Sequence, residues 1–144
     1  MIIHTASEGV SLARKLEEET AKFFEEVAAR HPADADTLLG YAKENKKNVT
    51  NIERSYYSVI TDALEGGYAF NLDDADFAVN VAVGDDYGAM LRQAQENEAA
   101  IVKYYEVASE QSRALMADLP RTMTVVNRKH IARVDELKAL AAKS

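Results

Sequence analysis

Glu17, Asn45, Asn48, Glu98, Asn127 and His130 are polar, yet each falls on or beside an apolar stripe of helical spacing. Burying a polar group without a partner costs about 1–3 kcal/mol. Six such groups, each midway along one of four stripes, therefore read as one deliberate core layer. A layer of this kind can satisfy itself by hydrogen bonds and fix helix register, as a buried Asn does in a coiled coil. Alternatively it binds something, since two buried carboxylates have raised pKa values and can take a cation or a polar ligand. Taken singly the residues are bland. Glu17 opens the run Glu17-Glu18-Glu19 and reads equally as a solvated charge, and His130 alone reads as a core histidine. Tyr56, Tyr57, Tyr104 and Tyr105 read as packing residues with hydroxyls near solvent. Other chemistries find no residues to carry them. The chain has no glycine-rich phosphate loop and no recognisable Ser/His triad text. It has no cysteine for a disulfide, a thiolate ligand or a nucleophile.

The elements that must position this layer are four helices. The first is expected over about Ser7 to Arg30, with the stripe Val10, Ala13, Leu16, Thr20, Phe23, Phe24 and Val27. His31-Pro32 ends it, because the residue before proline resists helical geometry. Asp34 or Asp36 can cap the second helix. Its stripe, Leu38, Ala42, Asn45, Val49, Ile52, Tyr56, Val59 and Ala63, alternates steps of four and three like the seam of a bundle helix. Gly66-Gly67 supplies its stop. From Tyr68 to Asp86 the chain is too long for a tight turn, and Phe77 to Val83 is apolar enough to lie on the bundle surface. The third helix is expected from about Asp86 to Ser112, through Tyr87, Leu91, Ala94, Glu98, Ile101, Tyr105 and Ala108. The fourth starts near Asp118, with Pro120 tolerated in its first turn, and continues through Met123, Val126, His130, Val134, Leu137 and Ala141. The fold class is all-α, a single domain over residues 1–144.

The sequence also repeats itself. Glu17-x-x-Thr20-x-Lys22-Phe23-Phe24-Glu25 matches Glu98-x-x-Ile101-x-Lys103-Tyr104-Tyr105-Glu106, and Asn45-Lys46-Lys47-Asn48 matches Asn127-Arg128-Lys129-His130. Two helix pairs thus look like copies of one hairpin. This text resembles the rubrerythrin branch of the ferritin-like superfamily, over nearly the whole chain in helix order. The resemblance implies a ferritin-like four-helix bundle with a long crossover between helices two and three. It also implies a di-iron site, with one Glu from each of the first and third helices and Glu-x-x-His from each of the second and fourth. Glu17 and Glu98 match the single glutamates, and His130 matches the histidine of the second Glu-x-x-His. Asn127 and Asn45 stand where that family has the glutamates that bridge the metals, and Asn48 stands where it has the other histidine. A second register, Glu44-x-x-Lys47, has the right spacing but lies one residue off the seam.

The substitutions bear on function. Two metals about 3.5–4 Å apart need anionic bridges, and an Asn amide carries no charge. The expectation is a bundle that has lost the normal di-iron centre and serves as a structural or partner-binding module. The alternative is a non-haem metal oxidoreductase acting on peroxide, oxygen or iron. There, one divalent ion (iron, manganese or zinc) is held by Glu17, Glu98 and His130. A homo-oligomer, as a dimer, is expected. The formal charge of −7 without a dense Lys/Arg block argues against nucleic acid. No apolar run reaches the roughly 18–20 residues that span a membrane, and Met1 to Thr5 lacks a signal-peptide pattern, so the expected setting is cytoplasmic.

Overall fold

The computed structural model describes residues 1–60, 69–114 and 118–143. Four helices make up most of it: α1 (Ala6–Arg30), α2 (Ala35–Ile60), α3 (Tyr87–Gln111) and α4 (Asp118–Lys143). Among the described residues no helix is long and apolar enough to cross a membrane.

Local sequence sets the ends. Thr5 caps α1 through a reciprocal pair: its hydroxyl accepts from the Glu8 amide, while the Glu8 carboxylate accepts from the Thr5 amide. That arrangement satisfies two amides the helix itself leaves unpaired. His31 closes α1, and Pro32–Asp34 form one 3-10 turn before α2 starts at Ala35. Asp34 closes that turn and accepts a hydrogen bond from the Tyr87 hydroxyl at 2.7 Å, tying the start of α2 to the start of α3. Asp86 caps α3 through the Ala89 amide. Pro120 sits in the first turn of α4, where its missing N–H costs nothing. The Gly66-Gly67 stop, and the Tyr68 end of the connecting segment, lie outside the described residues.

Helix directions follow from paired side chains. Arg14 meets Glu53 and Lys46 meets Glu25, so α1 and α2 are antiparallel. Tyr104 reaches Gly9 while His31, at the end of α1, stacks on Tyr87 at the start of α3, so α1 and α3 are antiparallel. Tyr41 reaches Glu136 while Ser55 meets Thr122, so α2 and α4 are antiparallel.

The described part of the segment before α3 lies against α1 and α3. Leu72–Asp73 forms a strand, β2, antiparallel to β1 (Ile2–Ile3), with Ile3 opposite Leu72. The strand pairing thus engages the N-terminus. Val79 to Val83 has no regular structure, because α3 takes up its backbone groups by side chains. Asn97 accepts from the Asn80 amide at 2.9 Å and donates to the Asn80 carbonyl at 2.8 Å, and Gln93 donates to the Asn80 and Ala82 carbonyls. Phe77 packs edge-on against Tyr104, and Phe70 lies over Gly9. A Cβ at Gly9 would fall 2.3 Å from the Phe70 ring. Because that ring is buried, Gly9→Ala is expected to cost about 1–3 kcal/mol by overpacking. Urea denaturation followed by circular dichroism reads this, and Gly9→Ala with Phe70→Leu should recover part of the loss.

The apolar core is in two parts. One gathers Leu16, Ile52, Ile101, Tyr104, Met123 and Val126; the other gathers Phe23, Phe24, Leu38, Leu91 and Leu137. In each helix the polar layer falls between the two. The stripe expected on α1 is its buried face, and so is that on α3 apart from the half-buried Tyr87. On α4 two positions differ: Val134 and Ala141 are half-buried, and Arg133 takes the inner position after His130.

Candidate functional site

Glu17 on α1, Asn45 and Asn48 on α2, Glu98 on α3 and His130 on α4 are all fully buried, and Asn127 is nearly so. The surface reading of Glu17 therefore fails, while its neighbour Glu18 is exposed and pairs with Arg14. The core side chains converge because each sits at mid-helix on an inward face.

His130 is the hub. Its Nε2 donates to Glu17 Oε2 at 2.6 Å, and its Nδ1 donates to Glu98 Oε1 at 2.7 Å. Burial opposes a charge on the ring, but the two carboxylates outweigh burial and hold its pKa up to about 9. At neutral pH it is an imidazolium. Burial also works against the Glu17 charge, yet His130, the Tyr105 hydroxyl and the Asn48 amide together hold its carboxyl below the ordinary value. Asn48 donates to Glu17 Oε1 at 3.1 Å, and Tyr105 donates to Glu17 Oε2 at 2.7 Å with its ring stacked on His130. Tyr104 donates to the Gly9 carbonyl. Both tyrosine hydroxyls are thus deep in the core, contrary to the expectation of hydroxyls near solvent, because a buried acceptor waits for each. Burial pushes the Tyr104 pKa up; burial and the Glu17 carboxylate push that of Tyr105 up.

Arg133 completes the layer. It lies one turn beyond His130, 1% exposed, with Nη1 2.6 Å from Asn45 Oδ1 and 3.3 Å from Glu98 Oε1. Its Nη2 donates to Glu44 Oε1 at 2.7 Å, and its guanidinium stacks over the Tyr41 and Phe24 rings. Arg133 is the site residue that sequence reasoning missed. One signal was present: Met123, Val126, His130, Arg133 and Leu137 are spaced three, four, three and four apart, a better seam than one through Val134. The register Glu44-x-x-Lys47 also takes a new meaning, since Glu44 is the half-exposed partner that links Arg133 to the surface.

Two carboxylates, one imidazolium and one guanidinium make the layer's centre neutral. This arrangement does not fit a metal. A doubly protonated ring has no lone pair to give, Glu98 already faces two cations, and Asn45 Oδ1 is engaged by Arg133. Among the described residues, no group of three or more His, Cys, Asp or Glu side chains is placed to hold a metal ion. Glu17, Glu98 and His130 do come together, but as ion pairs. Oxygens of Glu98 (Oε2), Asn48 and Asn127 and the Nε of Arg133 lack a hydrogen-bond partner among the described residues.

The geometry defines an all-α protein of four helices built around a buried ionic layer. No family model matches the chain, and neither a curated protein nor a solved structure matches it.

Proposed function

We propose that this chain is a ferritin-like bundle in which side-chain cations stand where related bundles hold metal, and that it serves as a structural or partner-binding module. The observation that carries the reading is the seating of His130 between Glu17 and Glu98, with Arg133 beside Glu98. The inner Glu/Asn/His positions of the internal repeat supply the ferritin-like part. Helix direction supports the long crossover: α2 and α3 are both antiparallel to α1, hence parallel to each other, and no tight turn joins parallel helices. A cysteine-free chain suits a reduced, cytoplasmic setting.

The test is metal content by inductively coupled plasma mass spectrometry, on protein purified without chelator and then offered ferrous iron anaerobically. The expected result is no stoichiometric metal at neutral pH. Bound iron, manganese or zinc that disappears in Glu98→Ala overturns the reading. It would favour the second one, a metal-dependent redox protein acting on peroxide, oxygen or iron. The observation behind that second reading is the set of unpartnered oxygens on Glu98, Asn48 and Asn127. It requires His130 to give up its proton.

A further inference from the structure

Where the first half of α2 runs beside α4, the helix pair leaves a surface depression of about 390 Å³, a volume within the range of small-ligand sites. Gly40 and Ala132 make the room, and a Cβ at Gly40 would meet nothing within 4 Å. The floor is Arg133, which is 1% exposed. A guanidinium offers Nε and an adjoining Nη as a parallel pair suited to one carboxylate. Here Glu44 takes Nη2 at 2.7 Å, and Nε is buried without a hydrogen-bond partner among the described residues. A buried donor left open costs free energy, so an acceptor at this point is favoured. Lys129, on the same wall, makes no ion pair among the described residues. Asp36 and Glu136 also line the depression and are equally without ion-pair partners there. Tyr41 donates to Glu136 at 2.8 Å and holds that carboxylate in place. Asp36 lies about 7–8 Å of helix before Tyr41, toward the start of α2. The charge balance is negative. The wall carries three carboxylates, on Asp36, Glu44 and Glu136, against two cations, Lys129 and Arg133. The layer behind it adds Glu17, Glu98 and His130, so carboxylates exceed cations by two in the whole set.

From this arrangement we infer that the depression between α2 and α4 binds a free basic amino acid, of the lysine or arginine type. The ligand's carboxylate sits between Lys129 and the open Nε of Arg133. Its α-ammonium meets Glu136, and its side-chain cation reaches Asp36. Glu44 is the group that moves to admit it. Its side chain is 37% exposed, so it can swing toward solvent while the ligand's carboxylate takes the Nε and Nη2 edge of Arg133. Other small ligands answer only part of the site. A plain anion meets Asp36 and Glu136 as like charges, and a plain amine leaves the buried Nε without an acceptor. A ligand that carries both signs, with a net positive charge, satisfies the open donor and reduces the excess of carboxylates. This goes beyond the structural role proposed above. Binding uses the outer edge of Arg133 and leaves the Glu17–His130–Glu98 chain as it is, so this inference and the metal analysis can fail separately.

The experiment is isothermal titration calorimetry of L-arginine and L-lysine into the full chain at neutral pH, with circular dichroism on every variant. A Kd of about 10 μM to 1 mM is expected for one or both. L-argininamide, which lacks the carboxylate, and L-citrulline, which lacks the side-chain charge, are each expected to bind about tenfold more weakly than L-arginine, or worse. Asp36→Asn and Glu136→Gln are each expected to weaken L-arginine by about tenfold or more. Gly40→Leu touches no charge. It should fill the depression and abolish binding, yet keep or raise the Tm, because glycine disfavours helix. No binding of either amino acid up to about 10 mM overturns the inference. So does L-argininamide or L-citrulline binding as well as L-arginine, since the first would show a cation held by surface carboxylates and the second a site blind to the side-chain charge. Wild-type affinity in Asp36→Asn, Glu136→Gln and Gly40→Leu, with each variant folded, places any binding elsewhere and overturns it too.

Discussion

Replacing His130 by alanine is expected to lower the free energy of unfolding by about 3–5 kcal/mol, the range for breaking one member out of a buried ionic group. The substitution strips both carboxylates of their shared partner. Glu17 keeps only the Tyr105 hydroxyl and the Asn48 amide, and Glu98 keeps only Arg133. Urea denaturation at neutral pH, followed by circular dichroism, measures the loss. A companion variant separates the charge effect from the cavity. Glu17→Met, Asn45→Leu, Asn48→Leu, Glu98→Leu, Tyr105→Phe, His130→Leu and Arg133→Met together remove the layer's buried charges and the buried polar groups that depend on them. Apolar replacement of a whole buried ionic group is often neutral or stabilising by about 1–4 kcal/mol. A single variant costing under about 1 kcal/mol would show that the layer is not held through His130.

Alkaline pH is expected to weaken the fold through the same residue. The ring's pKa is 6.5 in the reference state and about 9 in the folded chain. Below 6.5 both states hold the proton, and the stabilisation is fully present. Between 6.5 and about 9 the unfolded chain releases its proton while the folded chain keeps it, so stability falls as pH rises. The full loss is on the order of 3 kcal/mol. Glu17 acts at the other end: its folded pKa lies below 4.5, so its contribution is present above that value and fades as pH falls through the folded value. The two together leave the layer most stabilising between 4.5 and 6.5. The groups that face the ring are Glu17, Glu98 and Tyr105, with the Arg133 guanidinium behind Glu98; the raised pKa of Tyr105 acts at higher pH and with the same sign. Thermal unfolding from pH 5 to 10 should show a falling Tm above 6.5 in wild type and a flatter profile in His130→Gln. Matching slopes in the two proteins would remove His130 as the cause.

Much of the fold was legible because amphipathic spacing is a local property. Residues such as Leu16, Phe23, Leu91 and Ile101 announce their inward face by their own periodicity, and Pro32 and Asp86 mark boundaries through backbone geometry and capping. The Thr5–Glu8 capping box was equally local and was there to be read. The layer was partly legible: polar residues at seam positions drew Glu17, Asn45, Asn48, Glu98, Asn127 and His130 out of the text. Arg133 was not drawn out, because arginine is the residue type most at home on a helix exterior and is fully buried only when paired. Its partners Glu44, Asn45 and Glu98 lie on two other helices.

The sequence by itself determined that four amphipathic helices must share one core and that a polar layer must cross it at mid-height. Periodicity and the cost of burying unpaired polar groups require this whatever the packing. Only the tertiary structure decided which side chains meet in that layer. Whether two carboxylates and an imidazole form a ligand set or an ion-pair chain depends on protonation, and protonation depends on which charges lie within about 4 Å. Those neighbours come from helices far apart in sequence: Glu17 meets His130 across 113 positions, and Arg133 meets Asn45 across 88. The residue list is the same for either outcome; the distances place His130 between Glu17 and Glu98, and those two carboxylates raise its pKa to about 9.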